Sequence, residues 1–121
     1  RFSLDTAQAR AALERAALLK DVLNLPGGMN TRLQTGGPPL SSSQAIRLEL
    51  ARALAHEPRL LMLDECLDFL EDVPERAQLF DRLLGDGAPW TVIVATQSEE
   101  VLSRCDKVFR LEGGRVTEVK R

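Results

Sequence analysis

Two short strings in this sequence carry residue types suited to phosphate chemistry. The first is Leu63-Asp64-Glu65, where the apolar run Leu60-Leu61-Met62-Leu63 ends in two adjacent carboxylates. In open α/β sheets ligands gather beyond the carboxyl ends of the strands. An Asp there can hold a hydrated Mg2+ beside nucleotide phosphates, and the adjoining Glu can orient or deprotonate an attacking water. The second string is Leu40-Ser41-Ser42-Ser43-Gln44, which stands at the start of a helical pattern. The unpaired N–H groups and the dipole of a helix N-terminus form a natural seat for a phosphate. Each string also has a plainer reading. Any strand that leaves a core meets polar residues, and serines cap helices without any ligand. The elements between the strings, and their spacing, have to discriminate.

Stepping along the chain, Ala12, Ala16, Leu19 and Leu23 recur at helical spacing and predict one amphipathic helix from about Leu4 to Leu25, with Asp5 as its cap. Pro26, Gly27 and Gly28 stop it, and Gly36, Gly37, Pro38 and Pro39 close the loop that follows. The serines 41, 42 and 43 then cap a helix whose apolar stripe is Ile46, Leu50, Ala53 and Leu54, ending near Pro58. Leu60 to Leu63 predicts a short strand covered on both faces. A helix follows, with Pro74 just inside its start, Ala77, Leu79, Phe80, Leu83 and Leu84 along it, and Gly85 just past its end. Thr91 to Thr96 is β-branched and apolar and predicts a second buried strand. Ser98 caps a short helix with Glu99 and Glu100 in its first turn, and Lys107 to Leu111 with Arg115 to Val119 flank Glu112-Gly113-Gly114 as a hairpin. The order strand, helix, strand, helix, strand predicts a parallel sheet with helical crossovers, an α/β fold.

Composition narrows the functions. Sixteen basic against eighteen acidic residues leave a net charge of −2, and no run of Lys or Arg could displace many counterions from nucleic acid, so nucleic acid is not the expected partner. No apolar stretch approaches the roughly 18 residues of a membrane span, and no signal peptide is visible. Cys66 and Cys105 lack metal-ligand spacing, which disfavours a disulfide scaffold or zinc site and points to a reducing compartment. The single histidine, His56, sits near a helix end without a ligand partner and reads as structural. Trp90, after Pro89, reads as packing at a strand entrance. Arg47 and Arg52, on a helix with Glu49, read as a solvated face, and the Ala-rich first helix as core packing.

Taken together, Leu40 to Gln44, Leu50-Ala51-Arg52-Ala53-Leu54, Pro58 and Leu60 to Glu65 resemble, without a gap, the second half of an ATP-binding cassette nucleotide-binding domain. That family opens a helix with Leu-Ser-Gly-Gly-Gln, carries Ala-Arg-Ala within it, and follows a Pro with the Walker B strand ending in Asp-Glu. Asp68-Phe69-Leu70-Glu71 occupies the place of the D-loop, Val92 to Gln97 that of the switch-histidine strand, and Lys107 to Val116 that of the closing strands. Leu25-Pro26-Gly27-Gly28-Met29-Asn30-Thr31 resembles the connector of exporter-type cassettes. The resemblance implies a partial P-loop NTPase fold: residues 1–57 form part of the helical signature subdomain, and residues 58–121 the C-terminal part of the core with its closing hairpin. It implies ATP and Mg2+ as cofactors, with Asp64 holding the metal through water and Glu65 as the catalytic carboxylate. Gln97 takes the switch position, and Ser41, Ser42, Ser43 and Gln44 face a phosphate bound on a second nucleotide-binding domain in a head-to-tail dimer. It further implies a fused transmembrane domain, a place at the cytoplasmic face of the membrane, and ATP-driven export.

Four departures accompany the match. Ser42 and Ser43 replace the signature glycines and add side chains where phosphate must approach closely. Gln97 replaces His and cannot take up a proton, which predicts slow hydrolysis or structural ATP binding. Cys66 stands at a usual Pro, and the D-loop lacks Ser-Ala-Leu-Asp. No Gly-x-x-x-x-Gly-Lys run is present, because none of Lys20, Lys107 and Lys120 follows a glycine. The chain, which begins at Arg1, is accordingly expected to be the C-terminal fragment of a larger cassette, inactive alone. Because the P-loop strand of the family lies between the switch strand and a later one, a gap in the sheet is expected. Two other readings remain: a degenerate dimerisation or regulatory module without turnover, and a soluble chromosome-maintenance type of ATPase.

Overall fold

Asp5 opens the first helix with a reciprocal cap. Its carboxylate accepts the Gln8 amide at 2.7 Å, and the Gln8 side chain accepts the Asp5 amide at 3.0 Å, satisfying N–H groups that no helix carbonyl can reach. The computed structural model describes residues 4–119. In it the expected single helix is two, α1 (Thr6–Arg15) and α2 (Leu19–Leu23). The break is at Ala17, whose φ of 58° is left-handed. The amide of Leu18 reaches back to the carbonyl of Leu13 at 2.8 Å, as in a Schellman termination. A left-handed alanine costs about 1 to 2 kcal/mol, offset by the complete burial of Ala16 and Leu18 on either side of it.

Helix α3 (Ser42–Ala55) begins with a second capping box. The buried face of α3 is Ser43, Arg47, Leu50, Ala51 and Leu54, at the spacing of one helical stripe. The expected stripe is thus displaced by part of a turn: Ala53 is exposed and Ala51 takes its place, because α1 packs against that side. Arg47 also departs from expectation. It is only 5% exposed, pairs with Asp21 at 3.1 Å, and donates to the Ala17 carbonyl. A buried cation fills the break between α1 and α2, while Arg52 stays exposed beside Glu49 as expected.

Strands β1 (Leu60–Asp64) and β2 (Thr91–Ala95) are parallel, in register from Leu60 opposite Thr91 to Asp64 opposite Ala95. Helix α4 (Arg76–Leu84) connects them, starting two residues beyond Pro74. Leu61 and Leu63 point into a core shared with Leu67, Leu70, Leu79 and Phe80. The expected burial of both sheet faces is not found. Leu60, Met62 and Ile93 are 50 to 70% exposed, because alternate side chains point to opposite faces and nothing among the described residues covers the second one. Trp90 packs at the entrance of β2 as expected, its indole N–H on the Leu83 carbonyl at 2.9 Å.

After α5 (Glu99–Leu102), β3 (Val108–Glu112) and β4 (Arg115–Val119) form an antiparallel hairpin. Gly113 and Gly114 turn it with φ of 56° and 76°, the sign a two-residue type I′ turn demands. The expectation that the third strand joins the parallel sheet fails in part. Among the described residues β3 pairs only with β4, and β2 only with β1. A cleft of about 1490 Å3 lies between them, lined among others by Val92, Val94, Val108 and Phe109.

Candidate functional site

Asp64 is the last residue of β1 and is exposed, opposite Ala95 at the end of β2. Glu65 follows with φ of 59°, a left-handed conformation that costs a side-chain-bearing residue about 1 to 2 kcal/mol. Its amide nevertheless donates to the Ala95 carbonyl at 2.8 Å, so the ladder runs one residue past the strand. Backbone strain of this kind concentrates at functional positions. Gln97 lies two residues beyond β2 and is exposed. The structure therefore gathers Asp64, Glu65 and Gln97 at the carboxyl ends of two adjacent parallel strands, and Glu65 and Gln97 both line the cleft.

A carboxylate to which the sequence reading gave no role of its own ties these ends together. Asp68 sits in the 3-10 turn Cys66–Phe69. Its side chain accepts the Thr96 hydroxyl through one oxygen and the Gln97 amide, at 2.8 Å, through the other. The Thr96 hydroxyl oxygen accepts in turn from the Ser98 amide at 3.0 Å. The turn is held from below by Leu67 and Leu70, both buried. Burial pushes the neighbouring Cys66 thiol up, and the charges of Asp68 and Asp64 add to that while backbone amides at Cys66 and Leu67 oppose it.

The serine string forms the N-terminus of α3, as expected. Ser41 is the N-cap: its hydroxyl accepts the Gln44 amide at 3.2 Å, and the Gln44 side chain accepts the Ser41 amide at 2.9 Å. Ser41 and Ser42 are exposed. Ser43 is 7% exposed, with its hydroxyl on the Asp72 carboxylate at 3.1 Å. Of the four residues, then, Ser41 and Gln44 spend side-chain groups on the cap and Ser43 turns inward. The Ser42 and Ser43 amides lie in the first turn, where no carbonyl of the helix reaches them.

The two groups stand on different elements, and the loop after β1 runs between them, gripping one through Asp68 and the other through Asp72. Asp68 and Thr96 fall within the strings matched to the D-loop and the switch strand, but no local pattern marks their pairing or that of Asp72 with Ser43, since the partners are remote in sequence. Among the described residues no group of three or more His, Cys, Asp or Glu could hold a metal. A lone exposed Asp64 suits a hard cation that keeps its waters and takes other oxygens from phosphates.

No family model matches the chain. Individual relatives do, along nearly its whole length. It is 37% identical over 118 residues to the multidrug resistance protein fer6 of Mycosarcoma maydis, covering 96% of this chain and 9% of that protein. It is 33% identical over 115 residues to the ABC multidrug transporter MDR2 of Trichophyton interdigitale (strain MR816), covering 92% and 8%. It is 34% identical over 118 residues to the ATP-dependent lipid A-core flippase of Cupriavidus pinatubonensis (strain JMP 134 / LMG 1197), covering 95% and 19%. The chain thus spans less than a fifth of the length of these curated relatives.

Proposed function

Because the chain belongs to the ATP-binding cassette (ABC) transporter family, we propose that it is the C-terminal part of a cassette's ATP-binding domain, serving ATP-driven export across a membrane. Residues 1–57 belong to the helical signature subdomain and residues 58–121 to the core of a P-loop NTPase fold. The observation that carries this reading is the juxtaposition of Asp64 and Glu65 with Gln97 at the ends of paired parallel strands, where the ligands of open α/β sheets bind.

In this reading Glu65, exposed at the cleft on a left-handed backbone, orients the attacking water and takes its proton. Gln97 donates an amide N–H to a phosphate oxygen but cannot exchange a proton, so turnover is slow. Asp64 would hold Mg2+, which when bound supplies charge neutralisation on the phosphates. The α3 tip, through Ser41, Ser42 and the first-turn amides, offers its positive dipole end to the phosphate bound on a second domain. Closure between two such domains is then favoured only when an anion fills the gap.

In this reading the cleft between β2 and β3 is the place of a strand from the N-terminal part of the cassette. Among the described residues the outer edge of β2 pairs with no further strand, an edge of the kind that tends to recruit one, and the face of Leu60, Met62 and Ile93 is exposed. Among the described residues no helix is long and apolar enough to cross a membrane. In this reading the membrane-spanning part is a fused domain, and this segment works at the cytoplasmic face.

A second reading, a module that binds without turnover, is favoured by the Ser43 hydroxyl being engaged with Asp72 and by the missing switch histidine. ATP hydrolysis by the full-length protein, with and without Glu65→Gln, decides. Loss of turnover supports the ATPase, and unchanged turnover supports the module.

A further inference from the structure

We propose that Asp68 is a positioning residue: it fixes Gln97, and through Gln97 it sets the rate of the hydrolysis proposed above, on which this inference rests. The strand ladder ends at Ala95 opposite Asp64, so it no longer constrains Thr96 and Gln97. The two oxygens of Asp68 take over, one accepting the Thr96 hydroxyl and the other the Gln97 amide. Two successive residues held by one planar carboxylate cannot swing about Ala95 without breaking both bonds.

Asp68 is itself anchored to the other half of the site. Its amide donates to the Glu65 carbonyl at 3.2 Å, and the Glu65 amide donates to the Ala95 carbonyl at 2.8 Å. These bonds close a ring from Ala95 through Glu65 and Asp68 back to Gln97, pinned to the core by Leu67 and Leu70. Glu65 and Gln97 therefore share one frame. The frame matters more for a glutamine than for an imidazole. An amide contributes only through where its N–H points, so its whole effect depends on placement. The negative charge of Asp68 is tolerated beside the candidate phosphate position because it is taken up by the hydroxyl and amide donors of the loop it holds.

The test measures kcat and KM for ATP in the full-length protein carrying Asp68→Ala, Gln97→Ala, or both. Asp68→Ala should lower kcat about 10- to 100-fold, the scale of a displacement near 1 Å, while KM stays within about threefold. In the Gln97→Ala background Asp68→Ala should cost nothing further, since a residue acting through another loses its effect when that other is gone. Asp68→Asn, which keeps one acceptor oxygen, should fall between. Losses that multiply in the double variant, or a rise in KM at unchanged kcat, overturn the proposal. If Asp68→Ala does not fold, Asp68→Asn and Thr96→Val, each removing half of the tie, are judged by the same criteria. Glu65→Gln separates the failures. If it leaves turnover unchanged, the hydrolysis reading and this role fall together. If it abolishes turnover while Asp68→Ala runs at the unaltered rate, only the positioning role falls.

Discussion

Ser43 gives its buried hydroxyl to the Asp72 carboxylate at 3.1 Å, tying the tip of α3 to the loop that leaves β1. The serine that the resemblance sets at a signature glycine thus has a partner of its own. Ser43→Ala should lower stability by about 1 kcal/mol, the worth of a partly exposed hydrogen bond to a charge, read as a lower urea midpoint at unchanged slope. Asp72→Asn, whose side-chain oxygen still accepts, should be close to neutral for stability. It removes a negative charge beside the helix tip, however. If that tip receives a phosphate, ATP-dependent association of the full-length protein should tighten, more at low salt than at high. Weaker association in Asp72→Asn would count against a phosphate at the tip.

The features legible in the sequence are those written locally. Asp5 with Gln8 and Ser41 with Gln44 cap their helices across three residues, the two strand segments are continuous apolar runs, and Gly113-Gly114 states its turn. Asp64, Glu65 and Gln97 stand out as candidates because each sits at or just past the end of such a run. What stayed hidden depends on distant partners. Ser43 meets Asp72 across 29 positions, and Asp68 meets Thr96 and Gln97 across 28 and 29. The exposure of Leu60, Met62 and Ile93 departs from the sequence expectation for a related reason. A continuous apolar run states that both faces want cover, not whether the described elements provide it.

Arg47 tests the break between the first two helices. Its guanidinium is buried, paired with Asp21 and bonded to the carbonyl of the left-handed Ala17. Arg47→Ala leaves that carbonyl without its donor and Asp21 without its charge partner. Asp21 is about one-third exposed and recovers some solvation, so the loss should be about 2 to 3 kcal/mol, below that of a fully buried pair. Thermal unfolding should show the drop. Arg47→Lys should recover only part of it, since a point charge cannot address a carboxylate and a carbonyl with a planar fork. A change within about 0.5 kcal/mol, the range of ordinary surface substitutions, would mean that Arg47 is solvated in solution.

Glu65 carries a strain that can be measured apart from any catalysis. At φ of 59° glycine is unstrained and alanine is not. Glu65→Gly should therefore be more stable than Glu65→Ala by about 1 kcal/mol, the reverse of the usual order of these residues in regular structure. Both variants should lose hydrolysis equally if the side chain is the catalytic group. Equal stability of the two variants would show that Glu65 is not held left-handed in solution.

Cys66 reports on the packing of the turn that Asp68 organises. Burial pushes its thiol above the ordinary value, and the thiolate is the reactive form. Iodoacetamide should therefore modify Cys66 more slowly in the folded protein than in urea at the same pH, with the gap closing as pH climbs past the raised folded value. The sign for stability follows from proton counts. Between the unfolded and folded values the unfolded thiol has lost its proton and the folded one keeps it, so the unfolded state binds fewer protons and stability falls as pH rises. That contribution is fully present below the unfolded value. Cys66→Ser should remove this fall from the alkaline limb of a stability profile, and an unchanged limb would place the thiol in solvent.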